Sequence, residues 1–125
     1  MIFGIGTDIV AVSRFEKWVK TPYMIHRFFN EKELFVGKST AAACQHYAAR
    51  FAVKEAFSKA LGTGLVGFEL KDVFISHTES GKPLLCVEKT AEQRLFSLCG
   101  ECNVFVSLSH EREYATATVV IETKD

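Results

Sequence analysis

Proline and cysteine are scarce in this chain, and long apolar runs are missing altogether. Two prolines in 125 residues, Pro22 and Pro83, leave no proline-rich linker. Neither repeats nor low-complexity tracts divide the chain, so a single domain over residues 1–125 is expected, a length typical of one domain. No stretch reaches the roughly 20 apolar residues of a membrane span. The opening Met1-Ile2-Phe3-Gly4-Ile5-Gly6 has no basic leader and soon meets Asp8, which argues against a secretory signal peptide. Fifteen Lys and Arg balance fifteen Asp and Glu, so the basic excess of a generic nucleic-acid binder is absent. Recognition of a charged partner therefore has to come from local patches. Four cysteines do not make a disulfide scaffold. Cys99-Gly100-Glu101-Cys102 lacks the second pair that zinc would require, because Cys44 and Cys86 stand far apart. It also precedes an expected strand, whereas a thioredoxin-like pair opens a helix after one. Reduced cysteines in a cytoplasmic protein are expected.

What is abundant is apolar and aromatic. Eleven Phe and 48% hydrophobic residues supply a substantial core. Ile2 to Val10 reads as a buried strand ending at Asp8. Ser13 is placed to N-cap a short helix to about Lys20, with Glu16 completing a capping box, and Thr21-Pro22 breaks it. A second short helix is expected from Met24, or from Asn30-Glu31 to Phe35, with a turn at Arg27-Phe28-Phe29. Gly37 to Thr40 caps a long helix from about Ala41 to Leu61. Asp72–His77 and Leu84–Val87 form a hairpin around Glu79-Ser80-Gly81-Lys82-Pro83. Thr90 to Leu98 is helical, with Ala91, Leu95 and Leu98 inward. Two β-branched strands follow, Val104 to Ser109 and Ala115 to Glu122. The sum is an α+β domain, one long central helix lying on an antiparallel sheet.

That helix carries the densest chemistry. From Arg50 to Leu61 it is rich in Ala, Lys and Glu, without proline, and Gly62 and Gly64 provide a left-handed stop. Val53, Phe57 and Leu61 make a core row. Arg50, Lys54 and Ser58 repeat every four residues on the remaining surface, with Glu55 and Lys59 beside them. Glu55–Lys59 could be an ordinary surface pair contributing ~0.3 kcal/mol. A carboxylate among cations and a hydroxyl is equally what a metal-plus-phosphate site needs, because the metal takes hard oxygen and the phosphates take fixed positive charge. Gly4-Ile5-Gly6-Thr7-Asp8 is neither a dinucleotide fingerprint, lacking the third glycine, nor a Walker loop, lacking its Lys-Ser/Thr. Residues alone thus reach a metal- and phosphate-binding α+β domain.

Taken in order, Gly4-Ile-Gly-x-Asp8-Ile-Val, Arg50-Phe-Ala-x-Lys-Glu55-Ala-Phe-x-Lys59-Ala-Leu-Gly-Thr-Gly64, Gly81-Lys-Pro83 and Val106-Ser-Leu-Ser-His110-x-x-x-Tyr-Ala-x-Ala117 resemble the holo-acyl-carrier-protein synthase family, the short single-domain phosphopantetheinyl transferases. The resemblance spans Ile5 to about Ile121. It implies transfer of the phosphopantetheine arm of coenzyme A to a serine of apo-acyl carrier protein, releasing adenosine 3′,5′-bisphosphate, in support of fatty acid biosynthesis. Asp8 and Glu55 match the family's ligands for Mg²⁺, with Mn²⁺ equally compatible, and Lys59 matches the lysine at the pyrophosphate; these three are the expected catalytic residues. Arg50 and His110 match positions near the ribose 3′-phosphate. Gly62, Gly64 and Pro83 match the nucleotide pocket, with Ser58, Lys82 and Ser109 included in the expected coenzyme-binding set. Arg14 matches a cation that docks acidic helices of the carrier protein, and Lys17 extends that basic row. A homotrimer is implied, with sites at subunit interfaces. Two other functions stay open: a metal-dependent phosphohydrolase using Asp8 and Glu55, and a non-catalytic nucleotide-binding module using Arg50, Lys59 and His110.

Overall fold

The computed structural model describes residues 1–124. In chain order the elements are β1 (Ile2–Ala11), a 3₁₀ turn (Val12–Phe15), α1 (Glu16–Val19), α2 (Pro22–Phe28), a 3₁₀ turn (Glu31–Glu33), α3 (Thr40–Leu61), a 3₁₀ turn (Leu70–Asp72), β2 (Val73–His77), β3 (Pro83–Val87), α4 (Lys89–Cys99), β4 (Cys102–His110) and β5 (Tyr114–Thr123). A three-stranded antiparallel sheet has the order β1-β5-β4, and β2 and β3 form a separate hairpin. The α+β expectation of a long helix on an antiparallel sheet therefore holds.

α3 is the spine. Ser39 caps its start, the hydroxyl accepting from the Ala42 N–H at 3.1 Å, and Gly62 ends it at φ 83°. Val53, Phe57 and Leu61 are buried as their spacing requires. β1 lies against α3 with almost nothing between them. A Cβ added to Gly4 would sit 1.9 Å from the Ala60 carbonyl oxygen, and one added to Gly6 would sit 1.9 Å from that of Ala56. The two glycines thus serve backbone-to-backbone contact, and small Ala52, Ala56 and Ala60, all buried, complete it. From β5, Ala115, Ala117, Val119 and Ile121 turn toward the helix and are fully buried.

The period-2 alternation leaves the other sheet face open. Ile5 and Ile9 are 63% and 62% exposed, and Phe3, Phe105 and Tyr114 share that face. β1 was expected to be a buried strand ending at Asp8. It runs on to Ala11, and only its even-numbered side is covered, because one helix covers one face of a sheet.

Other differences are local. No side-chain cap bond forms at the Val12–Phe15 turn or at α1, so the Ser13–Glu16 capping box is absent and the expected helix is a 3₁₀ turn running into a single α turn. Pro22 starts α2 instead of only ending α1, since a first-turn proline loses no needed N–H. Arg27 and Phe28 belong to that helix rather than to a turn. The capping box falls at Asn30 and Glu33. Leu98 stays exposed, leaving Ala91 and Leu95 as the inward positions of α4.

Lys54 and Ser58, expected on the surface, are fully buried. Lys54 donates to Glu33 Oε2 at 2.7 Å, to the Leu70 carbonyl at 3.0 Å and to the Val73 carbonyl. Three acceptors match the three protons of an ammonium. Burial pushes the Lys54 amine down and the Glu33 carboxyl up, with their mutual attraction opposing both shifts. The pair ties the Glu31–Glu33 turn and the start of β2 to the middle of α3. Phe15, Trp18, Phe28, Phe29 and Phe51 stack with centroids 4.9–6.4 Å apart, clamping α1 and α2 onto the same helix.

Gly6→Ala tests the strand–helix contact. Overpacking costs about 3 kcal/mol or more where backbone cannot yield, so the thermal midpoint should fall by on the order of 10 °C. A midpoint within about 2 °C of wild type would show that β1 can lift from α3 at little cost.

Candidate active site

The glycine contact decides where Asp8 goes. Two residues beyond Gly6, on the same helix-facing side of β1, its carboxylate meets α3 one turn from the helix end. Asp8 Oδ1 accepts from Lys59 Nζ at 3.0 Å, and the same ammonium donates to the Thr7 carbonyl at 2.9 Å. The other oxygen, Asp8 Oδ2, is buried and has no protein partner. Lys59 therefore spans from α3 to β1, where a simple Glu55–Lys59 helix pair was the ordinary alternative.

Glu55 completes the group. Its carboxyl is pushed up from the ordinary value by burial first and by the Asp8 charge second, while Lys59 and Arg14 pull it back. Four charged side chains from three elements thus act on one another here: Asp8 from β1, Arg14 from the 3₁₀ turn, Glu55 and Lys59 from α3. Arg14 is held over the Phe51 ring at 5.2 Å. Two carboxylates, one with an unpartnered buried oxygen, form a donor set that suits a hard divalent cation. Among the described residues no group of three or more His, Cys, Asp or Glu could hold a metal. A cation at this pair would complete its shell with oxygens from outside the protein.

A second group lies toward the start of α3. Arg50 is half-buried, donating from Nη1 to the His46 carbonyl at 3.4 Å, and its Nε is buried without a partner. His46 donates from Nε2 to the Glu33 carbonyl. Burial, with smaller contributions from Arg50 and His110, lowers its pKa to about 4 against that hydrogen bond, so the ring is neutral at pH 7. His110, at the exposed end of β4, places Nδ1 3.2 Å from Gln45 Oε1. Arg50 and His110 thus share the neighbourhood of His46. The sequence reading gave His46 and Gln45 no role. Their signal was available, because positions 45, 46 and 50 stand one residue and one turn apart on one helix.

The remaining candidates are placed as follows. Gly62 and Gly64 lie just beyond α3 at φ 83° and 67°, with open space where a Cβ would point. Ser58 donates its buried hydroxyl to the Glu55 carbonyl at 2.7 Å, so it is turned into the helix and away from solvent. Lys82 and Pro83 end the β2–β3 turn, where the Lys82 N–H donates to Thr78 Oγ1 at 3.1 Å. Ser109 points to the open sheet face. Lys17 is exposed on α1. Among the described residues no hydrogen bond or ion pair joins Lys82, Pro83 or Ser109 to Asp8, Glu55 or Lys59 of the same chain.

Known proteins resemble this chain along nearly its whole length. The family model described as the 4′-phosphopantetheinyl transferase superfamily matches residues 4–119. A holo-[acyl-carrier-protein] synthase of Treponema denticola is 47% identical over 123 residues, covering 98% of this chain and 99% of the relative. Among solved structures, a holo-(acyl-carrier-protein) synthase from Bacillus anthracis in complex with CoA (3′,5′-ADP) superposes with a TM-score of 0.79 at 33% identity, covering 99% of both chains. The holo-ACP-synthase of Plasmodium yoelii superposes with a TM-score of 0.87 at 26% identity, covering 100% of this chain and 98% of the other. Chain-long identity and a shared fold together place this chain in the 4′-phosphopantetheinyl transferase superfamily.

Proposed function

We propose that the chain is a holo-acyl-carrier-protein synthase, transferring the 4′-phosphopantetheine arm of coenzyme A to a serine of apo-acyl carrier protein. The observation that carries the reading is the buried, unpartnered Asp8 Oδ2 beside Glu55 and Lys59. That grouping suits a cation and a pyrophosphate together. Asp8 and Glu55 would hold Mg²⁺, or Mn²⁺ in its place; when bound, the cation neutralises charge on the phosphate oxygens as the phosphoryl group transfers. Lys59, already reaching across the site, adds a fixed positive charge to the same oxygens. Arg50 and His110 suit the ribose 3′-phosphate, and Gly62 and Gly64 leave room for the nucleotide. Ser58 contributes indirectly, by fixing the turn that carries Glu55. A raised Glu55 carboxyl next to the incoming hydroxyl also suits proton acceptance.

One assay separates the three functions. The protein is incubated with coenzyme A, Mg²⁺ and an apo-carrier protein, and the carrier is weighed by mass spectrometry. Gain of one phosphopantetheine arm is expected. Released phosphate with an unmodified carrier would identify a phosphohydrolase, and no change would identify a binding module.

Asp8→Asn and Glu55→Gln should each lower turnover by on the order of 100-fold or more while leaving the thermal midpoint near wild type. Calorimetric titration with Mg²⁺ in the presence of coenzyme A should lose its signal in both. Near-normal turnover at limiting Mg²⁺ in either variant would remove that residue from the metal site.

Arg14 lies within electrostatic range of Glu55, Lys17 is exposed three residues on, and such a basic rim suits an acidic carrier helix. Arg14→Glu should raise the apparent KM for the carrier and flatten its salt dependence, because rim charges act mainly through encounter rate. Coenzyme A affinity should hardly change. Loss of coenzyme affinity with normal carrier recognition would place Arg14 in the nucleotide pocket.

The open apolar sheet face of Phe3, Ile5, Ile9, Phe105 and Tyr114 suits assembly into a homotrimer. Ser109 points to that face, and Lys82 and Pro83 make no contact with the metal pair of their own chain. A neighbouring subunit would receive Lys82, Pro83 and Ser109. Ile5→Asp should yield a folded monomer by light scattering that has lost most turnover. An active monomer would show that each chain is complete by itself.

A further inference from the structure

The cysteine pair at the far end of β4 from His110 takes no part in the site above. Cys99 is the last residue of α4 and Cys102 the first of β4, the reverse of the strand-then-helix order of a catalytic dithiol. Yet the fold brings the two sulfurs to 3.4 Å. The thiol of Cys99 has two acceptors in reach, Cys102 Sγ and the Leu95 carbonyl at 3.3 Å. The corner between them is fixed by its backbone. Gly100 takes φ 68°, a conformation that favours glycine. Its N–H donates to the Phe96 carbonyl at 2.8 Å, and the Glu101 carbonyl accepts from the Lys124 N–H at 3.2 Å.

Neither residue is fully buried. Cys99 and Cys102 are half-buried, and Gly100, Glu101 and Cys102 line an open groove of about 750 Å³ between α4, β3 and β4. Cys44, by contrast, is buried on α3. Cys86 has its sulfur 3.3 Å from the Ser76 hydroxyl and no cysteine beside it. Metal binding is disfavoured at the pair, since among the described residues no third ligand joins it.

We propose that Cys99 and Cys102 form a thiol–disulfide exchange site, which closes to an intrachain disulfide with a low-molecular-weight disulfide and reopens with a dithiol. The groove-facing Cys102 sulfur attacks the oxidant, whose S–S bond breaks and releases one thiol. The Cys99 sulfur then attacks Cys102 Sγ, forming the 99–102 bond and releasing the second thiol. The two cysteine protons end on the two released thiols, and two electrons pass from the protein to the oxidant. Burial and the neighbouring Cys99 push the Cys102 thiol up to about 11, so the first step is slow at neutral pH and the second, between sulfurs already in contact, is fast. The site responds to the thiol–disulfide balance of its surroundings and is unlike a fast oxidoreductase dithiol.

The test uses the full-length protein and oxidised glutathione as the probe. After prolonged incubation, intact mass should fall by two hydrogens with no glutathione adduct retained. Peptide mapping should place the bond between Cys99 and Cys102, and dithiothreitol should restore the starting mass. Cys99→Ser should instead trap glutathione on Cys102. Because the corner is preformed, the oxidised protein should melt above the reduced one, the closed loop restricting the unfolded chain. An adduct that persists on the wild-type protein, a bond to Cys44 or Cys86, or no change of mass would overturn the assignment. So would an oxidised form that melts below the reduced one, since closure would then distort the corner.

Discussion

The contact between the backbones of β1 and α3 is what the rest of the structure depends on. Strand and helix normally keep a layer of side chains between them, about 10 Å from axis to axis. Here Gly4 and Gly6 remove that layer on one side, and Ala56 and Ala60 thin it on the other. The consequence is chemical as well as structural. A short Asp8 side chain reaches the ammonium of Lys59 and the neighbourhood of Glu55 only because the strand lies this close. Had either glycine carried a Cβ, the strand would move out, and the carboxylate pair would separate by the same displacement. A cation held by two protein carboxylates tolerates little of that, because it has few other protein ligands to compensate.

The second dependence is buried charge. Lys54 has no exposed surface, and its ammonium satisfies the Glu33 carboxylate and the Leu70 and Val73 carbonyls at the start of β2. Removing one member of such a pair typically costs about 3–5 kcal/mol, because the other is left uncompensated. Glu33 also accepts from the Asn30 N–H, and its backbone carbonyl accepts from His46. One turn of chain is therefore pinned to α3 at two successive levels. Arg50 sits between those levels, donating to the His46 carbonyl, with its guanidinium held half out of water. An arginine positioned in this way loses little side-chain entropy on meeting an anion.

Much of this was legible in the sequence, and the limits have physical causes. The long helix, its cap within Gly37 to Thr40 and its Gly62 stop followed from local rules that tertiary contacts did not override. So did the β2–β3 hairpin and the two C-terminal strands. Asp8, Glu55, Lys59 and Arg14, separated by up to 51 residues, were grouped by motif order, and their mutual electrostatics agree with that grouping. Lys54 was misread because helical spacing states which residues share a stripe, not which element covers the stripe. Its partner Glu33 lies 21 residues away in a short turn without periodicity. Gly4 and Gly6 were considered only as a phosphate loop, since a glycine pair before an aspartate looks the same whether a ligand or a helix approaches it. The Ser13 cap failed because Ser13 falls inside the 3₁₀ turn, whose extended cap position is taken by Ala11.

These elements give α3 a division of labour along its length. Near its start, Gln45, His46 and Arg50 gather around one neutral imidazole and one cation. Glu55 and Lys59 follow at roughly 8 and 14 Å along the axis from Arg50, at 1.5 Å per residue. Nine residues of about 100° each turn Arg50 and Lys59 to opposite sides of α3. A rigid helix suits both groups better than a loop, because their separation is then set by the covalent rise of the backbone. The glycine strand, the buried Lys54 and the aromatic clamp hold α3 from several sides. Lys59 is thus already held against Asp8 and the Thr7 carbonyl, with Glu55 beside it, before a ligand arrives. Such preorganisation is where electrostatic catalysis draws its strength, since dipoles and charges that need not move cost nothing to reorganise as the phosphoryl group transfers.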